Sequence, residues 1–328
     1  MRRFIWICVP RGYLPGELLL GRQTRVQRRE SVDTPATFMT TDGGSLTSLR
    51  FIVYGDMRFT DIRETTASRP GPRQLLVARI AKERPDAVFL TGDVPWHGGN
   101  EVDYRVYEDE TAVWRREQLH VFPVLGNHEF KGCSETECLA RWWQTFPQQR
   151  GRRWYTVVMA PRLEFIVLDS ESSLLPGAEQ GQWLQRQLDG LSVSVRFVVI
   201  LLHHPPVTDY IRGPRANEIA LEKQLAIAAP VSRARFIVCA AHVHNYERFQ
   251  RDGIVFLVSC GGGGKPEFVN RSAADLYQGA DFPNFNYLLF ELTARQLRGE
   301  MVRMTDPDAP TSPTWSIRDQ FEMDPKVP

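Results

Sequence analysis

No stretch of the 328 residues is apolar for long enough to cross a membrane as a helix. A strong charge of either sign is also missing. Forty Lys and Arg stand against 39 Asp and Glu, a formal net charge of +1, so nothing global points to nucleic acid or to a membrane surface. Cysteine is sparse, five in all, and no Cys-x-x-Cys pair occurs, which excludes a zinc site of that type. Cys133 and Cys138 lie close together in "KGCSETEC". They read either as a small disulfide loop, which favours an extracytoplasmic location, or as two free loop thiols. Cys239 and Cys260 stand in apolar runs and read as buried filler. Internal repeats and low-complexity tracts are absent. With 42% hydrophobic and 24% charged residues, what remains is a soluble globular chain, long enough for one large domain or two modest ones.

What is present has a clear order. Residues 1–47 carry no sustained periodicity and read as a leader. It opens with "MRRFIWICVP", two arginines and a short apolar run cut off by Pro10, Arg11 and Gly12. Both a signal peptide and an upstream-extended start fit it, so cytoplasmic and exported locations stay open. From there, short apolar strand-like runs recur from Arg50–Tyr54 to Gly299–Met304. Helical patterns lie between several of them, at "PRQLLVARIAKERP", "VYEDETAVWRREQL", "ETECLARWWQTF" and "GAEQGQWLQRQLDGL". Strand and helix alternate in the first half and strands crowd together later. This predicts an α/β layered domain over 48–305 whose core includes two sheets. Residues 306–328 are expected as a Pro-rich tail wrapping the surface.

The chemistry sits where the runs end. "FIVY" is followed by Gly55-Asp56-Met57-Arg58, and "AVFLT" by Gly92-Asp93. "VFPVL" leads into Gly126-Asn127-His128-Glu129. "FVVILL" is followed by His203-His204-Pro205, and "FIVCA" by "AHVHNYER" with His242 and His244. Ligand sites in open α/β sheets gather beyond the carboxyl ends of strands. Five such ends carrying Asp, Asn or His form a mixed oxygen and nitrogen set suited to divalent transition metals.

In this order the motifs resemble the calcineurin-like metallophosphoesterases, and among them the purple acid phosphatase-like branch. That pattern runs Asp-x-His or Asp-x-Gly, Gly-Asp, Gly-Asn-His-Asp/Glu, His, and Gly-His-x-His, and it is matched over residues 49–265. "NYER" and "SCGGGG" (Ser259–Gly264) also resemble that branch. The resemblance implies a four-layer α-β-β-α sandwich with two mixed β-sheets. It also implies two divalent metal ions, Mn, Fe or Zn. Carried over residue by residue, Asp93 bridges the two ions. Asp56 and His244 complete the first position. Asn127, His203 and His242 complete the second. His203 is taken over His204 because the family ligand precedes a one-residue spacer and a proline. His128 lies near the leaving group, as proton donor or phosphate contact.

Two departures stand out. Where relatives place a His ligand two residues after the first Asp, this chain has Arg58, which stays charged and does not readily ligate a metal. Where purple phosphatases place a Tyr ligand three residues after the bridging Asp, it has Trp96. Without that Tyr, no purple colour is expected. His97 is a substitute ligand by position only, and Tyr246 is expected to pack or to hydrogen-bond. Arg58 fits instead as a clamp on the substrate phosphate, its planar fork matching two oxygens. The resemblance thus implies hydrolysis of a small-molecule phosphate ester, monoester or diester, by a hydroxide activated between two metals. Nucleic acid and membrane are not expected partners. The alternative is a metal-poor binding or scaffold member of the same fold.

Overall fold

The computed structural model describes residues 7–9, 37–39, 48–308 and 313–327. Strands β1 (Ile7–Val9), β2 (Thr37–Met39) and β3 (Ser48–Tyr54) precede helix α1 (Pro70–Glu83). Then come β4 (Ala87–Leu90), α2 (Glu101–Glu110), α3 (Ala112–Arg116), β5 (His120–Pro123) and α4 (Glu135–Thr145). The middle of the chain holds β6 (Tyr155–Ala160), β7 (Leu163–Val167), α5 (Glu179–Asp189), β8 (Phe197–Leu201), α6 (Ala216–Val231) and β9 (Arg235–Ala240). The last strands are β10 (Tyr246–Arg251), β11 (Ile254–Ser259), β12 (Asn286–Thr293), β13 (Leu297–Met304) and β14 (Trp315–Met323).

A strand that is apolar at every position needs a cover on both faces. In β3, Phe51 and Val53 enter one apolar cluster, while Ile52 and Tyr54 enter another. β4 repeats this with Ala87 and Phe89 against Val88 and Leu90. The first cluster also takes Phe165 of β7, Val199 of β8 and Ile237 of β9, so it fills the space between two sheets. The second packs β3 and β4 against α1, α2 and α4. A third packs β8 and β9 against α5 and α6. The result is the expected four-layer sandwich. One sheet has the order β1-β2-β6-β7-β8-β9-β11-β10 and the other β14-β13-β12-β3-β4-β5, both mixed in direction. Phe51 anchors the inter-sheet core, with ring centroids 4.9 Å from Phe165 and 4.7 Å from Phe290. Phe51→Ala is expected to cost about 3–5 kcal/mol, read as a lowered urea midpoint.

The domain edges differ from expectation. The stretch after Asp306 is not only a tail, because β14 pairs antiparallel with β13 and brings Phe321 opposite Gly299. Of the leader, β1 and β2 are described, and they extend the larger sheet through a parallel pairing of β2 with β6. The signal-like segment otherwise lies outside the described residues. Cys133 and Cys138 are disulfide-bonded, and Cys239 and Cys260 are free and buried. The bond closes the loop around the start of α4, where Ser134 and Glu137 form a reciprocal cap. Among the described residues no helix is long and apolar enough to cross a membrane.

Candidate metal centre

The carboxyl ends of β3, β4 and β5 come from one sheet and those of β8 and β9 from the other. Their following residues meet at one edge of the sandwich. Asp56 Oδ2 accepts a hydrogen bond from the His242 backbone N–H at 2.7 Å, and Asp56 Oδ1 lies 3.1 Å from His244 Nε2. Asp93 Oδ1 accepts from the His128 backbone N–H at 2.9 Å and lies 3.2 Å from His203 Nε2. Asn127 Oδ1 is 3.1 Å from the same His203 nitrogen. The His242 ring meets His203 edge-on, 5.3 Å between centroids. All eight expected residues therefore fall in one contact network.

The backbone is bent to achieve this. Eight described residues other than glycine have positive φ, and five of them are Asp56, Arg58, Asp93, His242 and His244, at 59°, 48°, 54°, 75° and 54°. Left-handed backbone is costly for side chains with a Cβ, and such outliers gather where function over-determines the geometry.

The donor and acceptor pattern asks for positive charge. His203 Nδ1 donates to the Thr91 carbonyl at 2.8 Å, and His244 Nδ1 donates to the Lys265 carbonyl at 2.5 Å. Each bond fixes the tautomer and turns an Nε2 lone pair inward, the usual support of a metal-ligating histidine. Inward, those lone pairs meet only acceptors, Asp93 and Asn127 in one case and Asp56 in the other. Asp56 Oδ1, His244 Nε2 and His242 Nδ1 are buried without a hydrogen-bond partner. A proton or a metal cation satisfies such a set; an empty one is expensive. Oxygen and nitrogen donors of Asp56, Asp93 and His203 lie within 4.8 Å of one another, as do those of His203, His204 and His242. These residues thus fit divalent metal; His244 joins neither group and meets the centre through Asp56. Burial would push Asp93 up, but His203, His128 and Arg58 together hold it well below the usual carboxylate range. His242 is held neutral, pushed down by burial and then by His203 and His204.

Arg58 does not point away from this network. Its Nη2 and Nε donate to Asp93 Oδ2 at 3.1 and 3.3 Å. Its Cζ lies 5.2 Å from the Trp96 ring centroid, and Lys131 Nζ lies 5.3 Å from the same ring. His128 Nδ1 donates to the Trp96 carbonyl at 2.6 Å, and Lys131 Nζ sits against His128 Nε2. Burial, followed by Arg58 and Lys131, pushes His128 down to about 3 against the pull of Asp93. The ring is therefore neutral at ordinary pH, and its Nε2 lone pair accepts from Lys131.

Three further residues that the sequence reading gave no role join the network. Lys131 is one. Glu129, the last letter of "GNHE", is another: it accepts from the backbone N–H groups of Asp93, Val94 and Gly126 at 3.1, 2.8 and 2.7 Å. It thereby ties the Asp93 turn to the Asn127 turn. Burial and then the Asp93 charge push its carboxyl up to about 8, against those donors. Glu129→Ala leaves three buried N–H groups unpaired. An expected loss of about 3 kcal/mol or more in urea unfolding follows, with lower metal content. His204 is the third: its Nδ1 lies 3.1 Å from Glu171 Oε1, and its ring stacks 4.0 Å from His242. His97 belongs to no metal-competent cluster among the described residues; its backbone N–H caps Asp103 at 2.8 Å. Tyr246 is buried and its hydroxyl donates to Asp319 at 2.8 Å, as expected of a packing residue. Beside the centre, a cavity of about 330 Å³ is lined by Asn127, His204, Tyr210, Arg212 and His242 among others.

The fold and motifs have relatives. The calcineurin-like phosphoesterase profile matches residues 49–246. A probable purple acid phosphatase 20 of Arabidopsis thaliana is 24% identical over 203 residues, 61% of this chain and 40% of that protein. The purple acid phosphatase PPD1 of yellow lupin (Lupinus luteus) superposes with a TM-score of 0.69 at 16% identity, over 89% of this chain and 56% of that one. A dimetal phosphatase of Danio rerio gives 0.58 at 16% identity, over 83% of this chain and 99% of that one. GAP50, the anchor in the inner membrane complex of Plasmodium, gives 0.62 at 16%, over 86% and 90%. The chain spans less than half the length of the curated relative it matches. With three fifths of its residues inside the family profile, the chain belongs to the calcineurin-like phosphoesterase family.

Proposed function

We propose that the protein is a metal-dependent phosphoric ester hydrolase acting on a small-molecule phosphate ester. The observation that carries this is the set of buried atoms, Asp56 Oδ1, His242 Nδ1 and His244 Nε2, that no hydrogen-bond partner satisfies, on strand ends shared by both sheets. Asp93, Asn127, His203 and His242 would hold one ion; Asp56, His244 and the second oxygen of Asp93 would hold the other. Bound ions supply positive charge that stabilises phosphoryl oxygens and makes water a competent nucleophile at neutral pH. The protein's own residues do the rest. Thr91 and Lys265 carbonyls keep His203 and His244 aimed inward. Glu129 fixes the two turns that carry Asp93 and Asn127. The half-buried Lys131 ammonium, resting on His128 Nε2, would supply a proton to a departing oxygen.

A specific contact favours the second reading, a member of the fold with little turnover: the Arg58 fork already covers Asp93 Oδ2. One experiment separates them. Purified protein is loaded with Mn(II), Zn(II) or Fe(II), its metal content is measured, and hydrolysis of p-nitrophenyl phosphate and its bis ester is followed. Turnover that needs the metal and disappears with chelator is expected. Protein that retains no metal and hydrolyses neither ester overturns the enzyme reading.

A further inference from the structure

The Arg58 backbone is pinned on both sides. Its N–H donates to the Asp93 carbonyl at 2.9 Å, and its own carbonyl accepts from Arg73 Nη1 at 3.2 Å. Arg73 is itself buried and held by Glu110 through two nitrogens. At φ 48° the Arg58 side chain starts beside the Asp93 carboxylate, with only its own torsions free to move. Its side chain is 13% exposed, and two of its nitrogens rest on one oxygen, Asp93 Oδ2. The other oxygen, Oδ1, faces His203 and the Asn127 side of the centre.

The first metal position therefore loses a ligand to its own chain. While Arg58 covers Oδ2, that position retains Asp56 Oδ1 and His244 Nε2, two donors where transition metals in proteins ordinarily take three or more. A guanidinium and a dication on one oxygen also repel each other strongly. The guanidinium already lies over the Trp96 ring while it rests on Oδ2, 5.2 Å from the ring centroid, so this contact does not depend on the carboxylate alone. Among the described residues no guanidinium or ammonium covers Asp93 Oδ1 at the second position.

We infer that Arg58 is an intramolecular occupant of the first metal position, so that guanidinium and ion alternate on Asp93 Oδ2. The second ion binds tightly and stays. The first binds only at higher free metal, when Arg58 swings off the carboxylate. Occupancy of the pair, and with it turnover, is then graded by metal concentration rather than fixed. This inference rests on the metal-centre reading above.

The test is a Mn(II) titration of metal-free protein, followed by the loss of the free-ion electron paramagnetic resonance signal and by calorimetry. Wild type is compared with Arg58→Gly and Arg58→Lys. Glycine is the informative replacement because positive φ suits it, so the variant removes the guanidinium without adding backbone strain. Lysine keeps the charge but cannot cover one oxygen with two nitrogens of a planar fork. Wild type is expected to show one tight and one weak step. In Arg58→Gly the weak step tightens at least tenfold and the tight step is unchanged; Arg58→Lys falls between. Two steps of equal affinity in wild type, or a weak step that is unchanged or weaker in Arg58→Gly, overturns the inference. Both results leave the hydrolase reading intact, provided metal-dependent turnover is seen. Protein that takes up no Mn(II) in any variant overturns both.

Discussion

Asp93→Asn is expected to lose about a thousandfold or more in kcat/KM for p-nitrophenyl phosphate, together with most of its bound metal. The magnitude follows from position. Asp93 is fully buried and engaged on both oxygens, by His203 on one and Arg58 on the other. An amide of the same shape keeps an acceptor for the His128 backbone N–H but removes the charge that Arg58 pairs with. A thousandfold corresponds to about 4 kcal/mol of transition-state stabilisation, within what metal-assisted chemistry commonly supplies. The variant separates two roles. Metal content by mass spectrometry should fall along with rate. If content stays at the wild-type value while rate falls, Asp93 acts on substrate rather than as a shared ligand. If rate also holds, the bridging assignment fails.

Folding of the variant needs its own check, because an unpaired Arg58 is left beside a neutral amide. Breaking a buried ion pair by removing one partner is destabilising by roughly 3–5 kcal/mol when both groups are fully desolvated. Arg58 retains some contact with water and the Trp96 face, which reduces that cost. The double variant Asp93→Asn with Arg58→Gly removes both members. It should recover stability but not activity, and that outcome distinguishes a lost catalytic centre from a lost fold.

Most of this centre could be read from the sequence because strand ends are legible. β4 and β8, and β3 from Phe51 and β9 from Phe236, are apolar without interruption, and a polar residue whose position the sheet fixes follows each run closely. Elements with weaker patterns were missed. β10, "YERFQR", shows no regular alternation, with Tyr246 and Glu247 both buried and Gln250 and Arg251 both exposed, and it begins inside a motif, so it was not among the expected strands. α6 carries apolar residues around most of its circumference and a proline near its end, which blurs the helical face. β14 alternates through Trp315, Ile317, Phe321 and Met323, but a register shift in its partner at Met301/Val302 and the preceding prolines hide the pattern. The centre has its own illegible parts. Thr91 and Lys265 contribute carbonyls, which no side chain announces. Left-handed backbone at Asp56 and His244 is set by the turns around them rather than by residue type. Arg58 was visible as an anomaly, yet only the fold shows that its fork reaches Asp93.

Lys131 belongs to the same class, since a lysine three residues after a histidine carries no signal until a short 3₁₀ turn at His128–Phe130 folds it back. Its removal should have the second-largest effect, and one that depends on the leaving group. The Trp96 carbonyl accepts a hydrogen bond from His128 Nδ1–H and so leaves Nε2 as an acceptor. His128 in that tautomer has no proton to give a departing alkoxide, whereas the ammonium beside it has three. Burial and the neighbouring Arg58 charge lower the Lys131 pKa, while Asp93 and Glu129 oppose them, so proton release is easier than from a free lysine. General-acid assistance is worth roughly 100- to 10,000-fold when the leaving group is poor and little when it is good. Lys131→Met should therefore reduce kcat/KM for an alkyl phosphate about a hundredfold and for p-nitrophenyl phosphate only a few-fold. Equal losses on both substrates would assign Lys131 to phosphate binding instead. His128→Ala should show the same leaving-group dependence, and the double variant should be little worse than either single one, because residues that act as a unit do not add. Additive losses would mean that the two act on different atoms of the substrate, with His128 facing the phosphoryl group and Lys131 the alcohol.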